Sequence, residues 1–330
     1  VNPGPDNVFN SGGVTAAGQV FTPSNIVNDD RVGSQGVVGT IFVSINANPA
    51  VAADTCTPDQ TAPFFANRRV TGRNAPSVIG AVYARDAFWD GRANHTFNGV
   101  DPFGFTGNAG GSLTSIGNGA LASQSVGPPN NSTEMSCANR AFNGAGSLGA
   151  KLLARRPLQF QAVSTTDSVL GSLALAGGGL NSTYQALIDA AFNAPVASAS
   201  LAQFSRIWGQ AVQAYEATLI PDQTPLDKYL AGNTSALTAN QQRGLDRFTA
   251  KGNCTKCHAG PELTDASVGF AQGNGLINED GGDPGFLTTS ACGPRPRTWG
   301  AQRPDLSVSR FRSAAPRSTT ARSRPPGCAT

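Results

Sequence analysis

The 330-residue chain is 39% hydrophobic and only 14% charged, with 39 Gly and 22 Pro, a balance that excludes a wholly disordered polymer and points to a loop-rich globular protein of about two domains. No run of about 18 apolar residues occurs, so no helical membrane span is expected. The formal charge of +3 hides an asymmetry, because residues 288–330 hold eight Arg and one Asp while the rest carries −4; those arginines stand mostly among Pro, Ser, Thr and Ala without helical spacing, so no nucleic-acid partner is expected.

The chain opens at Val1 without an initiator Met, a charged n-region or an apolar h-region, and any export signal is expected to have been removed or to lie outside this sequence. Up to about residue 145, Gly, Asn, Pro, Ser and Thr dominate. Short apolar runs such as "VVGTIFVS" (Val37 to Ser44) and "PSVIGAVY" (Pro76 to Tyr83) interrupt what should be extended loops with few regular elements. From Gly146 the pattern becomes helical. Leu148, Leu152 and Leu153 fit one face, and Tyr184, Leu187, Ile188 and Phe192 another. Ser205 to Ile220 is the clearest helix, with Ile207, Trp208, Ala211, Val212, Tyr215 and Leu219 at three- and four-residue steps before Pro221 stops it. Asp222 to Asn233, which contains Pro225, reads as a domain boundary. Thr238 and Gln241 then form a capping box, and the helix they start carries Leu245 and Phe248 directly into "GNCTKCHAG".

That last stretch sets Cys254, Cys257 and His258 within five residues, in a chain with only two histidines. Two thiols three residues apart can each add to one vinyl group of a haem, and the adjacent imidazole then lies beneath the iron as its proximal ligand; this is the c-type attachment signature. A zinc site would need two more ligands at comparable spacing, and a thioredoxin-like redox pair would need a strand-to-helix context. Such haem attachment occurs outside the cytoplasm, a setting in which Cys56 and Cys137 can pair as a disulfide or remain free. The second histidine, His95, reads either as an opposite axial ligand or as a surface or hydrogen-bonded residue.

Three stretches in order carry a family resemblance: "GRNAPSVIGAVYARDAFWDGRA" (Gly72 to Ala93), "QSVGPPNNSTEM" (Gln124 to Met135) and "YEATLIPDQTPLDKYLAGNTSALTANQQRGLDRFTAKGNCTKCHAGPELTD" (Tyr215 to Asp265). Together they resemble the bacterial di-haem cytochrome c peroxidases, a group that includes the methylamine-utilisation and rubber-oxygenase relatives. The resemblance implies a mostly α, loop-rich fold of two cytochrome c-like domains, one with a peroxidatic haem and one with an electron-transfer haem. On that reading residues 1–225 are the remainder of the peroxidatic domain, 226–287 a truncated electron-transfer domain, and 288–330 a tail outside the family pattern.

The resemblance also implies roles. Glu134 matches the distal carboxylate that moves a proton between the peroxide oxygens, Gln124 its distal partner, and Trp89 the aromatic residue between the haems. Cys254, Cys257 and His258 hold one haem c, with His258 on the iron, and Asn74 matches a position that helps bind calcium. Hydrogen peroxide is the implied substrate, a small cytochrome or cupredoxin the electron donor, the periplasm or another exported site the location, and a homodimer a compatible assembly. A di-haem oxygenase or cofactor-maturing oxidase of the same superfamily, and a one-haem electron carrier, are the alternative activities.

The chain also departs from the family. Gln124 follows Trp89 by 35 residues, and the surplus "NHTFNGVDPFGFTGNAGGSLTSIGN" reads as a long Gly/Asn-rich loop near the distal pocket. No histidine precedes Gly72, so the loop histidine that caps the peroxidatic haem in some relatives has no equivalent. There is no second Cys-x-x-Cys-His, and the sequence is expected to begin just downstream of the missing one, a natural one-haem protein being the alternative. Beyond Phe286 the resemblance stops. Reverse translation of Thr288 to Gly300 and of Thr320 to Thr330, read from the third base of each codon, can spell His-Leu-Gly-Val-Arg-Pro and Gly-Ala-Phe-Lys-Thr-Ala-Gly-Leu-Arg-Asn, both family-like. A frameshift near residue 287 is therefore expected, with a disordered, non-functional tail after it.

Overall fold

The computed structural model describes residues 34–46, 48, 51, 53–59, 68–71, 75–88, 91–104, 116–256, 258, 262–264 and 266–269. Asn74, Trp89, Cys257 and the whole of the expected frameshifted tail lie outside them. Within them the fold is mostly helical and rich in turns. Two antiparallel ribbons precede the helices: β1 (Gln35–Val38) pairs with β4 (Arg68–Val70), and β2 (Thr40–Ser44) with β3 (Thr55–Pro58). The run Val37 to Ser44 is thus split between two ribbons at Gly39, where a side chain would strike the Arg69 guanidinium.

The core is built where α1 (Ala120–Val126) crosses α5 (Phe204–Glu216). Phe97, fully buried, fills the crossing, and a Cβ on Gly209 of α5 would lie 2.7 Å from its ring and 3.1 Å from the Ala122 carbonyl oxygen. Only glycine lets the helices approach this closely around an aromatic ring. The first N–H groups of a helix have no partner within it. Gln213 of α5 supplies one for α1, its Oε1 accepting from Ala122 N at 3.0 Å while its Nε2 donates to the Asn118 carbonyl at 3.0 Å. Trp208 Nε1 donates to the Ser125 carbonyl, 3.0 Å, at the other end of α1. Around this pair pack Phe142, α2 (Leu148–Leu153, N-capped by Ser147), α3 (Tyr184–Ala191, N-capped by Thr183) and α4 (Ala194–Ala197), contributing Leu148, Ile188, Val196 and Ala197.

Two expectations need correction. The helix expected to reach Ile220 ends at Glu216, and in its last turn the periodicity inverts: Tyr215 is 66% exposed while Glu216 is buried. The chain beyond is held by a different contact, Gly80 N donating to the Leu219 carbonyl at 2.8 Å. The segment Asp222 to Asn233 contains a helix, α6 (Pro225–Leu230), started by a Thr224–Asp227 capping box with Pro225 in its first turn. The Gly/Asn-rich surplus after Ala93 is not a loose loop at its described ends. Asn94, His95, Thr96, Phe97 and Asn98 are all buried, and Phe97 pairs with Ile116 in a two-way backbone bridge.

Candidate functional site

The Cys-His stretch is delivered as the sequence predicts. α7 (Ala239–Asp246) begins at the Thr238–Gln241 capping box, then widens into a π-helical turn at Arg247–Lys251, closed by Gly252 N donating to the Arg247 carbonyl. Asn253 takes a left-handed φ of 54°, which redirects the chain into the short 3-10 turn Cys254–Lys256. His258 N then donates to the Cys254 carbonyl, 2.9 Å, bringing the first thiol and the imidazole into one helical turn. The His258 ring packs against Phe248 at 6.0 Å between centroids. Its Nδ1 lies 3.0 Å from the Leu263 carbonyl oxygen, an acceptor only, so Nδ1 carries the proton and Nε2 keeps its lone pair. His258 is exposed and Cys254 half-buried. An exposed imidazole whose Nε2 has no partner among the described residues, oriented by a backbone carbonyl through its other nitrogen, is the form an iron ligand takes, and these residues fit a c-type haem.

Gln124 and Glu134 lie on one continuous run of turns. Gln124 is in the last turn of α1, its carbonyl accepting from Gly127 N, and Pro128–Asn130 then form a 3-10 turn. Asn131 closes an Asx turn, its Oδ1 accepting from Thr133 N at 2.8 Å and Glu134 N at 3.2 Å, while its carbonyl accepts from Met135 N and Ser136 N. Glu134 is half-buried. Three residues on, Cys137 is joined to Cys56 of β3, which settles the pairing that the sequence leaves open.

The backbone on either side of Trp89 is closed tightly. Ala87 N donates to the Ala93 carbonyl, Gly91 N to the Phe88 carbonyl, and Phe88 takes a φ of 68°. Behind this turn sits a buried group that sequence reasoning missed. Asp86 Oδ1 accepts from His95 N at 2.6 Å and from His95 Nδ1 at 3.0 Å, while Asp86 Oδ2 accepts from Arg85 Nη1 at 2.7 Å. Arg85 Nη2 lies 3.2 Å from His95 Nε2, and since arginine can only donate, Nε2 is the acceptor and Nδ1 the protonated nitrogen. His95 is therefore hydrogen-bonded, as one reading expects, but buried and not on the surface. Both of its nitrogens are engaged by Asp86 and Arg85, so it presents neither to an iron. Isolated charges in a polar run give no sign of such a cluster.

The two regions meet. Arg85 N donates to the Ala266 carbonyl at 2.9 Å, and Ala84 pairs antiparallel with Ser267, whose buried Oγ donates to Glu262 Oε2 at 3.1 Å. The segment that orients His258 through Leu263 is thus bound to the one leading into Trp89.

An oriented imidazole and a thiol in one turn, in a sequence reading Cys-x-x-Cys-His, fit the donor set that a c-type haem requires. Comparison with known proteins gives the class within that group. The family model described as di-haem cytochrome c peroxidase matches residues 48–235, a stretch that ends before the Cys254 turn and so is a separate signal from it. The chain belongs to the di-haem cytochrome c peroxidase family. It is 27% identical over 191 residues to the cytochrome c551 peroxidase of Pseudomonas aeruginosa, covering 58% of this chain and 37% of that protein. A cytochrome-c peroxidase of Denitromonas iodatirespirans is 43% identical over 63 residues, 19% of this chain and 17% of that protein. The methylamine utilization protein MauG of Methylorubrum extorquens is 35% identical over 69 residues, 20% of each chain. The aligned stretches thus span well under half the length of these relatives.

Proposed function

We propose that the chain is part of an exported di-haem peroxidase that reduces hydrogen peroxide to water, each peroxide taking up two electrons and two protons. The observation that carries this reading is the attachment of the His258 segment to the Trp89 segment through Ala84, Arg85, Ala266 and Ser267. It sets the segment that follows the proposed haem motif beside the segment that leads into Trp89, the residue to which the reading gives electron transfer between the haems. Bound haem would supply the redox chemistry, electron transfer at Cys254, Cys257 and His258 and peroxide activation at the peroxidatic site. The residues of the chain supply the rest. His258 ligates through Nε2, and its Nδ1 bond to Leu263 raises the basicity of the ligand. Glu134 takes a proton from one peroxide oxygen and returns it to the departing oxygen, with Gln124 orienting the substrate by its amide.

Two cytochrome c-like domains divided near residue 225, a small cytochrome or cupredoxin as donor, a periplasmic location, a homodimer and an amide oxygen from Asn74 to a calcium ion complete the proposal. The Cys56–Cys137 disulfide supports the location, because disulfides persist in oxidising compartments. No helix among the described residues is long and apolar enough to cross a membrane. The test is peroxide-dependent oxidation of a reduced small cytochrome by the complete, haem-loaded gene product. Oxidation at a rate proportional to enzyme is expected. A haem-loaded protein inert to peroxide but active on an organic substrate would replace this reading with the oxygenase one.

A further inference from the structure

The two ribbons contribute nothing to the main core. Val38, Ile41 and Val43 on their strands are exposed, and the buried cluster is made entirely by residues from Phe97 onward. What the ribbons do grip is the segment Asn131 to Ala138, and they hold it on both sides of Glu134.

Before Glu134, Ser132 Oγ accepts from Arg69 Nη1 of β4 at 3.1 Å, and the Thr133 carbonyl accepts from Val37 N of β1 at 2.9 Å. Gly36 lies so close against that carbonyl that no Cβ fits. After Glu134, Cys137 is bonded to Cys56 of β3, and Ala138 bonds β2 twice, its N donating to the Thr40 carbonyl at 2.7 Å and its carbonyl accepting from Phe42 N at 2.9 Å. The ribbons are also tied to each other. Arg69 pairs with Asp59, both side chains largely buried, and Asp59 N donates to the Gly39 carbonyl at 2.9 Å. Between the two grips the amides of Glu134, Met135 and Ser136 all donate to Asn131.

We propose that the two ribbons are a clamp that positions Glu134, with Arg69, Gly36 and the Cys56–Cys137 disulfide as its fixed points; the proposal rests on the reading of Glu134 as the distal proton-transfer group. A carboxylate that shuttles a proton between two oxygens of one small substrate must hold its place to within a fraction of an ångström, because misplacement by about 1 Å can cost about 100-fold in rate. A surface turn held only by its own Asx bonds would not keep that tolerance. Anchors at Ser132, Thr133, Cys137 and Ala138 fix the backbone from which the Glu134 side chain projects. Arg69, Cys56 and Cys137 are thus positioning residues: they act through the backbone and touch no substrate.

Two variants test this, Cys56→Ser with Cys137→Ser, and the milder Ser132→Ala, which spares the disulfide. In the chain as it stands, hydrogen exchange followed by mass spectrometry should show faster exchange in peptides covering Asn131 to Ala138, with α1 and α5 unchanged. In the complete haem-loaded protein, kcat for peroxide should fall by up to about 100-fold for the double variant and less for Ser132→Ala, with KM and haem content unchanged. Unchanged exchange in both variants would overturn the clamp whatever Glu134 does. Loosened exchange with kcat fully retained would overturn the positioning role while leaving the catalytic reading intact. A fully active Glu134→Gln protein would instead sink the catalytic reading and the positioning role with it.

Discussion

His258 Nδ1 and the Leu263 carbonyl oxygen are 3.0 Å apart, and this one bond fixes which imidazole nitrogen faces outward. On the proposed reading, Nε2 is the nitrogen left for the haem iron. Expressed with c-type maturation, it should carry one haem joined covalently to the peptide Cys254 to His258, detected by mass spectrometry of the tryptic fragment. Replacing both Cys254 and Cys257 with Ala should abolish attachment. A matured chain whose Cys254 to His258 peptide carries no haem would end the peroxidase reading.

The helix that delivers the motif depends on its cap. Thr238 Oγ1 accepts from Gln241 N, and Gln241 Oε1 accepts from Thr238 N at 2.8 Å. Thr238→Ala should cost about 1 kcal/mol. The effect should be read as faster amide exchange across Ala239–Asp246, with α5 unaffected, since α7 buries none of its residues and cannot offset the loss by packing.

Phe97 is the most consequential core residue. Its ring is fully buried between α1 and α5, so Phe97→Ala should destabilise by about 3–5 kcal/mol in urea unfolding. Gly209→Ala tests the same contact from the other side. Its new methyl would meet the ring at 2.7 Å, and overpacking of this kind should cost about 1–3 kcal/mol. A neutral Gly209→Ala would mean that the ring can move aside.

The residues that could be read from sequence and those that could not differ for a physical reason. α5, α7 and the Cys-His turn were legible because periodicity, capping boxes and thiol spacing are local signals, confined to a few residues. Phe97 was not, because it sits in a run of Asn, Gly and Thr, and its burial comes from a partner over a hundred positions away, Gly209. The cluster of Arg85, Asp86 and His95 failed for the same reason: charged residues are solvated by default, and only tertiary structure shows them paired and buried. Asp54, which bridges Arg140 and Lys151, is another such case. The N-terminal ribbons were hidden by brevity, with strands of three to five residues carrying too little alternation to be recognised.

The assigned chemistry of Glu134 has a direct measure. In the complete haem-loaded protein, Glu134→Gln keeps the shape of the side chain and removes its capacity to accept a proton. Peroxide turnover should fall by about two to four orders of magnitude, the usual worth of a positioned acid-base group. Haem content should be unchanged, which separates a chemical loss from a folding one.

Glu216 makes a prediction about stability and pH. It is buried at the end of α5, its Oε2 has no hydrogen-bond partner among the described residues, and burial pushes its carboxyl pKa above the ordinary value. The folded state therefore binds this proton more tightly than the unfolded chain does. Between the ordinary carboxylate pKa and the raised folded one, folding takes up a proton, so stability falls as pH rises. The favourable contribution is fully present below the unfolded pKa and lost once pH passes the folded value. Glu216→Gln removes the ionisation while keeping the shape. Its melting temperature should exceed that of the parent chain at neutral pH, and the difference should shrink on acidification toward about pH 3, where the parent carboxyl is protonated in both states. Parallel melting curves across that range would show that Glu216 gains a partner in solution and stays ionised within the fold.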